Sequence, residues 1–283
     1  MRNYLSRSRC LGAILLATGV LAACGGGGGG GSDDDISSYW STNPAGASSF
    51  SGAAAAYQGS ISGLGSIVVN GVRFETTDAV VYDSDDFSAA YDSGVSTFSS
   101  PLALGMTVAL FGDVDDSQSL GRAARIRVVG GVRGNMTAIN STSITLATQT
   151  IKLDSATTYG GTSAAGALIS THAQLAALTG NPLLTIYGIP QTNGDFLATR
   201  VVVTTSSTYP IAVRGTLSAI NGTNYSVTVN ANTTITVNCS ACAIQPIGTT
   251  PVVGDSVRVL ATHASQWNNA SATLTAARLQ LVN

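Results

Sequence analysis

The sequence predicts an all-β chain: a cleaved leader and a glycine-rich tether, then three tandem small Greek-key barrels. Three observations lead there. Short runs of alternating β-branched residues are separated by turn residues, helical spacing is almost absent, and blocks of residues recur in a fixed order along the chain.

The leader comes first. Arg2, Arg7 and Arg9 precede an apolar run from Leu11 to Ala23, the pattern of a secretory signal. A run this short falls below the roughly 20 residues that span hydrocarbon. It ends in Leu21-Ala22-Ala23-Cys24, a bacterial lipobox, so residues 1–23 read as a lipoprotein signal peptide and Cys24 as the lipidated residue. Several acyl chains on one residue hold firmly, because each buried methylene contributes about 0.8 kcal/mol. The membrane is thus an expected partner through the lipid anchor. Glycines from Gly25 to Gly31 and the acids Asp33 to Asp35 bury no core, and residues 24–56 read as a disordered tether. Gly25 rather than aspartate after the cysteine points to the outer membrane, on its periplasmic or cell-surface face.

Composition narrows the function classes. Only 10% of the 283 residues are charged, and polarity comes from Ser, Thr, Asn and Gly. The leader removes three of thirteen basic residues, leaving ten against fifteen acidic. Phosphate recognition needs clustered basic residues, so nucleic acid is not an expected partner. Once Cys10 leaves with the leader and Cys24 is lipidated, Cys239 and Cys242 remain. In an oxidising compartment they read as a local disulfide. A metal site would need two more ligands, and a redox motif would need a βαβ setting that is lacking here.

The repeats set the domain plan. Gly59-Ser60-Ile61-Ser62-Gly63-Leu64, Gly134-Asn135-Met136-Thr137-Ala138-Ile139 and Gly215-Thr216-Leu217-Ser218-Ala219-Ile220 share one pattern. Each is followed by an alternating strand at Met106–Gly112, Leu183–Gly188 or Ser256–Ala261, and then by Ala124-Arg125-Ile126, Thr199-Arg200-Val201 or Ala277-Arg278-Leu279. A repeat of about 75 to 80 residues is long enough to close its own small core. The units are expected at 57–130, 131–210 and 211–283. In the first, Asn70-Gly71 between Ser66–Val69 and Val72–Glu75 marks a tight hairpin, because both central turn residues need positive φ. Further strands are expected at Tyr57–Ile61, Ala79–Tyr82, Met106–Phe111 and Ala123–Val129, making five or six per unit. So small an antiparallel sheet must close to bury its face, which favours an OB-like barrel over an immunoglobulin-like sandwich of about 100 residues. A short helix is expected over His172–Leu178, after Thr171. The short connections at Gly130-Gly131 and Ser206–Pro210 predict an elongated, semi-rigid rod.

The stretch from Gly59 to Phe74, with Leu104–Val108 and Ala124–Ile126 downstream, resembles the bacterial lipoprotein family called domain of unknown function 5666. The resemblance implies a lipobox, a glycine or serine tether and tandem β-barrel units. It implies no established activity.

Candidate sites are few. Asp113, Asp115 and Asp116 place three carboxylates in an expected loop between strands, where Ca2+ is the natural cation; Asp83, Asp85 and Asp86 form a second acidic stretch. An EF-hand would need glycine and glutamate where Gln118 and Ala124 stand, and a solvated turn is the plainer reading. The recurring Arg125, Arg200 and Arg278 read as seam residues that lay their stems on apolar surface and donate to carbonyls, with Arg133 and Arg214 similarly placed at junctions. His172 and His263 read as surface residues. With no nucleophile beside a base and no paired carboxylates on strand ends, the chain does not read as an enzyme. The expected function is a non-catalytic spacer or interaction module for an envelope protein or polysaccharide. The alternative is a calcium- or carbohydrate-binding lipoprotein, with Trp267, Tyr82 or Tyr91 exposed beside the acids.

Overall fold

The computed structural model describes residues 53–83, 85, 101–115, 119–192, 194–205, 208–246 and 248–282. The chain is all-β and folds into small closed five-strand barrels. Cys24, Asp116, Tyr91 and most of the expected tether lie outside the described residues.

The first ring comprises β1 (Ala53–Gly63), β2 (Ile67–Val69), β3 (Val72–Glu75), β4 (Val80–Asp83), β5 (Thr107–Asp115) and β6 (Leu120–Val128). β1 pairs antiparallel with β2 and β5, β2 with β3, and β5 with β6, while β3 and β4 both run parallel to β6. β3 and β4 follow one another along the same side of β6, opposite β5, so the six strands occupy five positions, and the β3–β6 pairing closes the sheet and removes its open edges. Asn70 and Gly71 take φ of 51° and 82° in the expected hairpin. Alternation sends Val72 and Phe74 inward and Arg73 and Glu75 outward. β1 begins at Ala53, earlier than expected, because Ala53–Ala56 pair with Phe111–Val114 of β5. Backbone pairing needs no large side chain, so an alanine run can extend a strand.

The second ring repeats this order with β7 (Val132–Asn140), β8 (Ser143–Leu146), β9 (Gln149–Lys152), β10 (Thr158–Gly161), β11 (Leu183–Pro190) and β12 (Phe196–Val203). β9 and β10 run parallel to β12, and β11 joins β12 back to β7. The one α-helix among the described residues, α1 (His172–Ala176), lies between β10 and β11. Thr171 and Gln174 form its capping box, and its own Leu175 is buried.

Residues 211–281 form a third ring of paired strands through β13 (Ile211–Asn221), β14 (Asn224–Asn230), β15 (Thr233–Asn238), β16 (Ala243–Gln245) and β17 (Ser256–Ala261). β18 (Trp267–Asn268), β19 (Thr273–Thr275) and β20 (Arg278–Leu281) follow. β19 runs parallel to β15, and β20 runs parallel to β16 and antiparallel to β17.

Each ring encloses its own apolar cluster, led by Phe74 and Ile126 in the first, Ile151 and Leu184 in the second, and Val237 and Leu279 in the third. Burying one such side chain contributes about 1.5–3 kcal/mol. The clusters are not sealed from each other, since Tyr187 of β11 packs into that of the first ring. A backbone bridge between Arg133 and Ala212 links β7 to β13.

The expected rod is corrected here. Asp85 of the first ring touches Arg258 and Arg278 of the third, so the two outer rings meet directly. The buried pair keeps each charge matched only while the two rings stay together, a constraint that connection length could not reveal.

Candidate functional site

Asp85 is the centre of a buried polar cluster. It lies just after β4, 5% exposed, where its carboxylate pairs with Arg258 of β17. Arg133 of β7 approaches the same carboxylate at 2.7 Å, and Arg258 Nη2 donates to its Oδ2 at 3.2 Å. Arg278 Nη1 donates to the Asp85 carbonyl at 2.7 Å. The guanidinium of Arg258 also donates through Nε to Gly131 O at 2.8 Å, so one 1%-exposed arginine joins all three rings. Arg133 donates further to Thr185 Oγ1 at 3.0 Å.

The electrostatics follow from this packing. Burial alone would raise the Asp85 carboxyl, but Arg258 and Arg133 outweigh it and hold it down at about 2. Asp83 moves the other way, raised by burial and by the Asp85 charge. Its Oδ1 accepts from the Asp85 backbone N–H at 2.9 Å. Burial, with help from Asp83, pushes the Tyr187 hydroxyl up to about 12. Burial also lowers Arg214, which faces Arg258 across β13 and β17, to about 10.

A second junction joins the first two rings. The turn before β5 offers Leu104 O to Thr158 Oγ1 at 2.9 Å and to Arg200 Nη1 at 3.1 Å, and Gly105 O to Thr199 Oγ1 at 2.6 Å. Between the second and third rings, Gln149 Nε2 donates to Arg214 O at 2.7 Å and Asn230 exchanges two hydrogen bonds with the Thr150 backbone.

The expected acidic loop is corrected. Asp113 and Asp115 are strand residues, because β5 continues through Asp115 and β6 resumes at Leu120. The alternation of β5 turns Val114 inward and both acids outward. Asp113 stands opposite Arg122 of β6; partial burial raises its carboxyl, and Arg122 opposes that rise. Arg122 itself pairs with Asp78 at 2.5 Å. Asp85 and Asp83 face arginines rather than these acids, and among the described residues no group of three His, Cys, Asp or Glu is arranged as for a metal ion.

Of the remaining candidates, Cys239 and Cys242 are joined as a disulfide with Cα atoms 4.7 Å apart. Arg125 lies 5.1 Å over the Tyr82 ring, which is 4% exposed. Trp267 packs against the core of the third ring. Arg200 and Arg278 reach carbonyls, as seam residues should, but those of the first ring rather than their own. His172 Nε2 lies 2.9 Å from Asn140 O, and His263 begins a short 3-10 turn. Sequence reasoning missed Arg258; its trace is a lone charge within the apolar strand Val257-Arg258-Val259-Leu260.

The closed five-strand barrel in tandem is the class that this geometry defines. The family described as domain of unknown function 5666 matches residues 58–127 and 133–202, and the chain belongs to it through these two tandem copies. No curated protein matches the chain. Among solved structures, one titled drosophila Unr CSD456 is similar over 81% of this chain and 98% of its own, at 13% identity and a TM-score of 0.22.

Proposed function

We propose that the chain is a lipid-anchored envelope protein of the bacterial outer membrane, held by Cys24, whose barrels act as a non-catalytic spacer and interaction module. In this reading residues 1–23 are the signal, 24–56 the tether, and the rings at 57–130, 131–210 and 211–283 are three copies of one unit. Support for the third copy comes from its turn before β17. Gly254 N donates to Leu217 O and Asp255 N to Val252 O, as Gly105 N does to Ile61 O and Met106 N to Ala103 O before β5.

The observation that carries the proposal is the Asp85 junction. An arginine and an aspartate that clamp three rings together make one stiff body from repeats, which suits holding a surface at a fixed distance from a membrane. No helix among the described residues is long and apolar enough to cross a bilayer.

The test is metabolic labelling with an alkyne palmitate, followed by membrane fractionation and cross-linking in intact envelopes. Label on the wild type, loss of label and of sedimentation in Cys24→Ala, and cross-links to envelope components that need the anchor are expected. Unlabelled protein that leaves the membrane in salt, or a chain without any cross-linked partner, overturns it.

A further inference from the structure

The outer face of the third ring has an unusual composition. From Gly215 to Gly254 the chain contains no acidic residue, basic residue or histidine, and neither β18 nor β19 adds one. Alternation sends Tyr225, Val227, Val229, Ile235, Val237 and Leu274 inward and leaves only Ser, Thr and Asn outward on β14, β15 and β19.

Register arranges these side chains in rows across the sheet. Thr216, Thr228 and Thr234 form one row. Ser226, Thr236, Thr273 and Asn268 form the next. Asn221, Asn224, Asn238 and Thr275 form a third. Neighbours within a row lie about 4.8 Å apart and successive rows about 6.8 Å apart, by strand geometry.

This composition is not a demand of the fold. The same face of the first ring exposes Arg73 and Glu75 on β3, and that of the second exposes Lys152 on β9. Some hydroxyls satisfy one another, as Thr228 and Thr234 do at 3.2 Å. Thr216, Thr236 and Thr275 are exposed, and their hydroxyls have no partner among the described residues.

We infer that this face binds a neutral polysaccharide lying across the strands. The inference rests on the interaction-module reading and names its partner. A face without cations has no means of attracting phosphates or an anionic polymer. Its strands lack the exposed aromatic and arginine anchors that dominate protein interfaces, and they expose no large apolar side chain to lipid, the exposed Val252 and Val253 lying off the strands in the turn before β17. What remains is a lattice of groups that both donate and accept, matching the hydroxyls of an uncharged sugar chain. Threonine is stiff at χ1, so ordering it on binding costs little entropy.

The test uses the detergent-solubilised full chain in affinity electrophoresis through gels containing dextran, a soluble β-glucan, or anionic polygalacturonate. Retardation by a neutral polymer is expected, weakened about tenfold or more in Thr216→Val/Thr236→Val/Thr275→Val, where three free hydroxyls are lost and β-branched shape is kept. Thr137→Val/Thr145→Val on the second ring should bind as wild type. Equal retardation of the triple variant, retardation by polygalacturonate alone, or none at all overturns the inference. Envelope cross-links that survive such a result would leave the interaction module standing with a different partner, whereas loss of both would end both readings.

Discussion

Arg258 and Asp85, 173 residues apart in sequence, form a buried ion pair that brings the third ring against the first. Arg133 of the second ring shares the same carboxylate, so one acidic side chain is the common point of three rings. A buried charge is tolerable only while its partner stays in place, and the pair is therefore a sensitive point for the whole arrangement.

Replacing Asp85 by asparagine should leave Arg258 buried without its counter-charge and cost about 3–5 kcal/mol. Urea unfolding of the full chain measures this. A loss below about 1 kcal/mol would mean that water or another acid compensates.

The same pair sets an acid response. Asp85 falls from an ordinary 3.8 to about 2 in the folded chain, so its contribution is complete above the ordinary value and disappears as pH drops through the lower one. The shift corresponds to roughly 2 kcal/mol. Asp83, raised by burial and by Asp85, acts with opposite sign, since protonating it relieves a cost as the pH falls. Melting curves across this range should stay nearly level at first and then drop, and Asp85→Asn should remove the drop. A variant whose acid limb matches the wild type would show that the pair does not govern it.

Gly105 and Gly254 occupy the same turn in two rings with φ of 80° and 102°, but only Gly105 touches a neighbouring ring. A Cβ on Gly105 would collide with Thr199 O, whereas one on Gly254 meets nothing within 4 Å. Gly254→Ala should therefore cost only the left-handed strain, about 1–2 kcal/mol. Gly105→Ala should cost more and also speed proteolysis between the first two rings. Equal effects would mean that the turn does not hold that junction.

The Cys239–Cys242 bridge closes a loop with a sequence separation of 3, so the chain entropy it removes is small. Reduction, or Cys239→Ser with Cys242→Ser, should lower stability by roughly 2 kcal/mol or less and leave the barrels folded. Circular dichroism with urea titration reads both, and global unfolding on reduction would contradict it.

Much of the barrel plan was local. Asn70-Gly71 dictated a hairpin through its positive φ values, and a helix start at Thr171 was legible, its capping box with Gln174 being seen only in the structure. The strand expected at Val72–Glu75 is β3, with Val72 and Phe74 inward. The acidic stretch at Asp113 was misplaced because Asp113-Val114-Asp115 has the composition of a turn and the alternation of a strand, and only pairing with Leu120–Arg122 decides between them.

The sequence by itself determined the all-β class and the small tandem barrels, because turn chemistry and period-two alternation act over a few residues. It also carried Leu21-Ala22-Ala23-Cys24, on which the proposed anchor rests. The tertiary structure alone decided that Asp85 faces Arg133 and Arg258, that Arg200 and Arg278 reach another ring's carbonyls, and that the Ser, Thr and Asn of five strands fall into rows. Such contacts join residues far apart in the chain, and their energy comes from burial and register, neither of which exists until the barrels have closed and met.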